Sequence, residues 1–442
     1  MSRRFEFIAI GLILIAYLGI ASLYATRTPD WEVPDEPAHY NYTAQIAAQG
    51  CCLKLQPGDW NNDYLTGIIS AKFAPVVVNG QIGTVRYEDH QPPLYYLLQS
   101  VVFKLTQGNL HALRLFSVLL GAGVVVMAWL VVRTIFPTVP VLGLAAAAFV
   151  AFLPQHVAMM AGVENDSLAE LLAGVILWLS ILYVGNGSFR PHPALLGLLV
   201  GIGFLTKVTI YPTVAIAGLA IVLRGLRERW TLADFARTLA LFLIPALILG
   251  GLWWLRNIAT YGFPDFLGLK MHDSVVVGQP RTSEWIARLG FGGWLKAIVP
   301  TTFDSFWGQF GWMGVPMPMT FYTVLLVFTA LVIVGAIIAL IRYGTALAPV
   351  QRDALILLLI AGGLALAEFI YYNLTFVQAQ GRYLYPGLIP LAAFVAIGLY
   401  GWVSLAIRRA PIAAWGIVIL TCAFAVLDVY ALYKFIIPAL SL

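Results

Sequence analysis

Apolar residues recur along this chain in runs of roughly twenty, the length a helix needs to cross a hydrocarbon core of about 30 Å. The pattern predicts spans at 7–23, 112–132, 141–160, 168–184, 194–206, 208–223, 238–255, 321–341, 355–374, 384–407 and 412–435. In lipid the backbone must satisfy its own polar groups, so such runs are helices. The expected fold is an all-α, polytopic transmembrane bundle of about eleven spans. Two long polar stretches divide it into a first module at 1–255 that includes the loop 24–110, a second loop at 256–320, and a C-terminal module at 321–442.

Two further stretches do not fit as spans. Residues 92–105 are apolar but too short, and are placed as a helix dipping into the membrane interface. In 283–299, Trp285, Ile286, Leu289, Trp294, Leu295 and Ile298 share one helical face, with Arg288 and Lys296 elsewhere. That suits a helix lying in the headgroup layer, capped by Thr282 or Ser283. No internal repeat, low-complexity region or soluble domain is evident, and the lack of repeated halves counts against a transporter.

The composition agrees: 60% of residues are hydrophobic and 11% charged, whereas soluble domains carry about a quarter charged residues. The net charge of +5 is scattered, without the basic block that nucleic acid would call for. It reports topology instead. Arg3 and Arg4 precede the first run, which lacks a small-x-small cleavage site before Arg27 and is taken as an uncleaved helix with its N-terminus in the cytoplasm. Short loops assigned to that side hold Arg133, Arg190, Arg224, Arg227, Arg229, Arg342, Arg408 and Arg409. The chain is thus placed in the inner (plasma) membrane, with both long loops on the outer, periplasmic side. Three cysteines, including the adjacent Cys51 and Cys52, suggest neither a disulfide framework nor a metal site.

Candidate chemistry gathers on the outer side. Asp35-Glu36-Pro37 is a good helix start, since carboxylates there oppose the macrodipole, but one of the acids could equally draw a proton from an attacking hydroxyl. His90-Gln91-Pro92-Pro93 fixes where a loop becomes a helix. In Glu164-Asn165-Asp166, Asp166 can cap the next helix, or the acids can face Asp35, positioning a substrate or a divalent cation through hard oxygen ligands. Lys207, Arg256 and Arg382 stand near outer helix ends. Snorkelling accounts for any one of them, and for Arg114; three beside two acid clusters suggest more. Glu368 is a candidate partner for Arg382 or Lys207, and Asp428 has no evident partner.

Glycosyl transfer needs a base for the acceptor hydroxyl and positive charge for the departing phosphate, and one rim supplies both. Gly201-Ile202-Gly203 lies inside an apolar span and suits packing with Gly197 rather than nucleotide binding. The donor is therefore expected to be a lipid-linked sugar, its approach lined by Trp253, Trp254, Trp307 and Trp312.

These residues resemble the GT-C superfamily of membrane glycosyltransferases, which includes protein mannosyltransferases and aminoarabinose lipid A transferases. The likeness lies in Asp35-Glu36 just after the first helix, the Gln91-Pro92-Pro93-Leu94 turn, Glu164 to Asp166, Lys207, and Arg256-Asn257 followed by Tyr261-Gly262. Asp35-Glu36-Pro37-Ala38-His39, Phe306-Trp307-Gly308-Gln309-Phe310-Gly311-Trp312 and Gln380-Gly381-Arg382-Tyr383 look like a bacterial GT-C-like family of unassigned substrate, over nearly the whole chain. The resemblance implies Asp35 as catalytic base, Glu36 and Asp166 shaping the acceptor or metal site, and Lys207, Arg256 and Arg382 holding donor phosphate. His39, His90, Gln91, Glu164 and Tyr383 complete the expected substrate-binding set. Asp35, Glu164 and Asp166 are the candidate ligands for a divalent cation, Mg or Mn, should one take part. The implied reaction moves a sugar from a polyprenyl-phosphate carrier to a hydroxyl of a cell-envelope acceptor, whether glycan, lipid or protein, in one inverting displacement. Large soluble outer domains of the oligosaccharyltransferase kind are missing, and Glu164-Asn165-Asp166 departs from a strict aspartate pair. The rival readings are a transporter or flippase of a lipid-linked sugar, which would bind phosphate without breaking a bond, and a pseudoenzyme or assembly subunit.

Overall fold

The computed structural model describes residues 3–405 and 410–442, so Arg408, Arg409 and the end of the 384–407 run lie outside the described residues. Among the described residues, 9 helices are long and apolar enough to cross a membrane, or 10 with one bent pair. The expected run 141–160 is that pair: Pro140–Ala151 and Pro154–Met160 meet at 65°. Pro154 has no N–H to continue the helical ladder, and the chain breaks ahead of it. The run 194–206 is only the 12-residue helix Pro193–Phe204, too short to pass as a full span. Two of the predicted runs are therefore not simple spans, and among the described residues the count is nine or ten rather than eleven.

Close packing explains the short helix. It lies against Leu232–Tyr261, and a Cβ on Gly197 would stand 1.8 Å from the backbone oxygen of Phe242. Only glycine permits that approach, as the expected packing role of Gly197 requires. Pro140–Ala151 is buried from Val141 to Ala151 and runs through the middle of the bundle, touching Arg3–Arg27, Leu110–Ile135 and Leu388–Val403. Its alanines bring the surrounding helices near one another.

At one end of the bundle the segment after Arg3–Arg27 builds a small helical cap. Glu36–Gln49 packs on Leu94–Thr106, the short helix anticipated at 92–105, around Tyr42, Ile46, Tyr95 and Tyr96. A second cluster, Ala38, Leu65, Ile68, Phe73, Val85, Tyr87 and Val276, ties in the rest of that loop. Cys51 and Cys52 form a single vicinal disulfide, which closes no loop and is not a disulfide framework.

The helix anticipated at 283–299 is longer, Thr282–Gly308, and is interrupted at Gly290. Trp294 and Ile298 on its predicted apolar face are buried against Ala379, with Trp285, Ile286 and Val377 alongside, while Leu289 and Phe291 stay exposed. That face therefore covers protein as well as looking outward. Its N-cap is Arg281, without a side-chain cap, and the Thr282 hydroxyl donates to the Asn373 carbonyl instead. Trp307 is not part of an aromatic belt: it is buried among Phe149, Phe306, Phe328 and Phe424. A two-stranded hairpin follows, pairing Gln309 with Pro316, and Trp312 donates to the Trp31 carbonyl.

Candidate active site

Asp35 precedes the helix Glu36–Gln49 with a left-handed backbone (φ 66°), a conformation aspartate tolerates, and its side chain makes no capping bond. Asp35 thus stands at the helix start, but its carboxylate is spent on other partners than the free N–H groups there. Its Oδ1 accepts a 2.7 Å bond from the Tyr87 hydroxyl and its Oδ2 a 2.5 Å bond from Arg382 Nη2. Burial works against ionisation of Asp35, yet the Arg382 guanidinium and these hydrogen bonds hold the carboxyl below its usual range.

Arg382 lies in the turn Gly381–Gly387, where a Cβ on Gly381 would meet the Phe306 backbone at 2.3 Å. The glycine lets the turn press onto Thr282–Gly308 and fixes where the arginine starts. Nε donates to Gln380 Oε1 at 2.7 Å and Nη1 to Glu164 Oε1 at 3.2 Å. Lys207, between Pro193–Phe204 and the turn Val208–Ile210, stands 2.6 Å from Asp166 Oδ1 and 3.8 Å from Glu164 Oε1. Charges thus alternate along Asp35, Arg382, Glu164, Lys207 and Asp166, three acids against two cations. Burial, with Asp166 alongside, pushes the Glu164 carboxyl well above its usual range, against the pull of Arg382 and Lys207.

Around this run, His39 Nδ1 shares a 2.7 Å hydrogen bond with the Tyr96 hydroxyl, and burial holds the imidazole below its ordinary value despite attraction from Glu88. The Tyr383 ring lies 5.2 Å from the Arg382 guanidinium. Asn165 Nδ2 reaches Gln91 Oε1 at 3.5 Å, a long contact that links the loop before the Leu94–Thr106 helix to the acid motif. His90 bonds the Tyr87 carbonyl at 3.1 Å and faces His272, ring to ring at 4.5 Å.

Other candidates are engaged elsewhere. Glu36 is fully buried and forms a two-pronged pair with Arg114, at 2.7 Å to Nε and 2.6 Å to Nη2. Arg114 is therefore not a snorkelling cation: its remaining donors reach the Ala25, Thr28 and Pro29 carbonyls. Arg256 donates to Asn257 Oδ1 and to the Cys52 and Leu53 carbonyls, and stacks near Trp253 and Tyr261, away from the charge run. Glu368 is not the partner of Arg382 or Lys207, whose ion pairs are with Asp35, Glu164 and Asp166. Asp166 begins its helix rather than capping it, the N-cap being Asn165. Asp428 is buried, and neither of its carboxylate oxygens has a hydrogen-bond partner among the described residues.

Tyr87, Glu88 and Tyr96 belong to the site and escape a motif search. Glu88 is 9% exposed, and its Oε2 is buried without a hydrogen-bond partner. The signal available was the acid pair Glu88-Asp89 directly before His90-Gln91. Among the described residues no group of three or more His, Cys, Asp or Glu side chains is arranged to hold a metal ion, since Arg382 and Lys207 take up oxygens of Asp35, Glu164 and Asp166.

A family model described as dolichyl-phosphate-mannose-protein mannosyltransferase matches residues 90–254. No curated protein matches the sequence. Among solved structures, ArnT from Cupriavidus metallidurans bound to undecaprenyl phosphate is similar with a TM-score of 0.51 at 16% identity, over 100% of this chain and 74% of that one. The same protein in the apo state gives 0.52 at 14%, over 99% and 74%. Residues 90–254 are thus similar to a membrane mannosyltransferase family, and the whole chain shares its fold with ArnT.

Proposed function

We propose that the protein transfers a sugar from a polyprenyl-phosphate-linked donor to a hydroxyl of a cell-envelope acceptor on the outer side of the plasma membrane. The observation that carries this reading is the contact of Asp35 with Arg382, 2.5 Å apart at the head of the alternating charge run. The acceptor oxygen attacks the anomeric carbon, the bond from that carbon to the phosphate oxygen breaks, and configuration inverts. Asp35 takes the hydroxyl proton, and the extra negative charge left on the phosphate falls to Arg382 and Lys207. Charge neutralisation is assigned to these two side chains, in the place a divalent cation, Mg or Mn, would otherwise fill.

His39, Tyr96 and Glu88 line the acceptor side, and His90, Gln91 and Tyr383 shape the walls. Glu36 is assigned to structure, through Arg114, and Arg256 to holding the Cys52–Leu53 segment beside the buried Trp253. The likeness in fold to an enzyme bound to undecaprenyl phosphate supports a polyprenyl donor. The outer placement is supported by Arg133, Arg227 and Arg342, which occupy the last turns of their helices at the end away from the charge run.

Mass spectrometry of lipid co-purifying with the protein identifies the donor. With that donor in vesicles, Asp35→Asn is expected to lower transfer by about 10²–10⁴-fold, the usual contribution of a positioned base. Full transfer by the variant would sink the assignment of Asp35.

A further inference from the structure

In the resting site every nitrogen of the Arg382 guanidinium is engaged. A guanidinium offers five N–H donors in a fixed fork. Here Nε is on Gln380, Nη1 on both oxygens of Glu164 at 3.2 and 3.5 Å, and Nη2 on Asp35 at 2.5 Å. Lys207 is likewise held by Asp166 at 2.6 Å. One Nη2 N–H is left over, but a phosphate seated two-pronged on an edge of the fork needs positions that carboxylates now hold, so it has to replace one.

Geometry indicates which. The Asp35 side chain is 24% exposed and Glu164 only 5%, so an arriving anion meets Arg382 on the Asp35 side. Glu164 is also anchored a second time, by Lys207. Phosphate matches the guanidinium fork with two parallel bonds, whereas Asp35 makes one.

Resting on the transferase reading above, we propose that Arg382 is a shared cation which the donor's phosphate takes from Asp35, so that seating the donor and freeing the base are one event. Glu164 is the positioning residue that keeps the guanidinium within reach of both. Once released, Asp35 keeps the Tyr87 hydroxyl on Oδ1, and its Oδ2, no longer held by Arg382, is free to accept the proton of the acceptor hydroxyl. The acceptor is activated only when a donor is in place. Until then the base is masked.

The test is binding, independent of turnover. The full chain in nanodiscs is titrated with undecaprenyl phosphate alone at fixed pH and salt. Asp35→Asn is expected to bind it more tightly than wild type, on the order of tenfold, because the phosphate no longer competes with a charged hydrogen bond. Arg382→Gln is expected to bind more weakly by a similar factor of roughly ten. Glu170→Gln removes the same charge one helical turn beyond Asp166 without touching Arg382, and is expected to change binding by less than about threefold. In a Glu164→Gln background the gain from Asp35→Asn should shrink, and in Glu164→Asp it should persist.

Asp35→Asn no tighter than wild type, with Asp35→Ser agreeing should the first variant fold poorly, overturns the proposal. So does equal tightening by Glu170→Gln, which would reduce the effect to the general field, or unchanged binding by Arg382→Gln. The same gain in every Glu164 background overturns the role given to Glu164. Failure of the wild type to bind undecaprenyl phosphate at all would remove the transferase reading itself.

Discussion

Glu36 stands next to Asp35, and the two acids are expected to fail in different ways when neutralised. Both side chains of the Glu36–Arg114 pair are fully buried. All five guanidinium donors are used, on the two Glu36 oxygens and the Ala25, Thr28 and Pro29 carbonyls, while Glu36 also accepts from the Val163 and Trp31 backbone N–H groups. One pair thus ties the end of the first helix and the start of Glu36–Gln49 to Leu110–Ile135 and to the residue before Glu164. Neutralising Glu36 leaves a buried guanidinium uncompensated, which costs about 3–5 kcal/mol, a large share of a typical total of about 5–15 kcal/mol. Glu36→Gln and Arg114→Ala should each lower the melting temperature in detergent by on the order of 10 °C, followed by scanning fluorimetry. Because the lesion is structural, transfer per folded molecule of Glu36→Gln at low temperature should stay within about tenfold of wild type, far above the loss expected for Asp35→Asn. A Glu36→Gln protein that melts like wild type, or one fully folded and as inactive as Asp35→Asn, would refute this division of roles.

Glu88→Gln should leave the melting temperature unchanged or raise it, because the carboxylate oxygen it alters is buried without a partner, while transfer falls; a clear loss of stability would mark Glu88 as structural. Burial pushes the Asp89 carboxyl up to about 8, against the hydrogen bond from Gln45, and Glu32 up to about 7, against Lys72. Both values lie above the unfolded value of about 4, so the folded protein binds the extra protons and stability is full in acid and lost as pH rises through about 7–8. The melting temperature should therefore fall from about pH 4 to about pH 8 and level off above, and Asp89→Asn with Glu32→Gln should flatten the decline; an unchanged slope would refute the assignment.

The spans were legible because lipid fixes both the length and the backbone state of an apolar run. What the runs could not show is how each is finished. Pro154 is visible in the sequence, but whether it bends or breaks a helix depends on what packs beside it. Among the charges, Asp35 and Arg382 were singled out separately, yet their contact spans 347 residues of chain and only the fold reveals it. Arg114 was misread for the same reason. A lone cation near a helix start looks alike in sequence whether it snorkels or meets Glu36, 78 residues away. Tyr87 and Tyr96 are uncharged and lie among 20 tyrosines, so nothing local marked the hydroxyls that hold Asp35 and His39.

The same placement of polar groups bears on whether a bond is broken or a lipid merely moved. A flippase for a lipid-linked sugar needs a polar path through the bundle. Among the described residues the charge run stops at Lys207 and Asp166, and the next polar groups inward, Glu170 and His156, are closed on each other at 3.0 Å. A cavity of about 30 Å³ beside Glu170, Thr213 and Tyr385 has room for little more than water. Further on, Val124, Ile176 and Ala145 to Ala148 are buried and apolar. The large space at the opposite end, about 730 Å³, is lined by Phe136, Leu142, Ile337, Leu355 and Phe394, surfaces that suit lipid chains and offer a sugar few partners. The buried run of acids and cations at Asp35, Arg382, Glu164, Lys207 and Asp166 lies at one end, above an apolar interior, and is arranged to act on a headgroup where it arrives. That arrangement favours transfer over translocation.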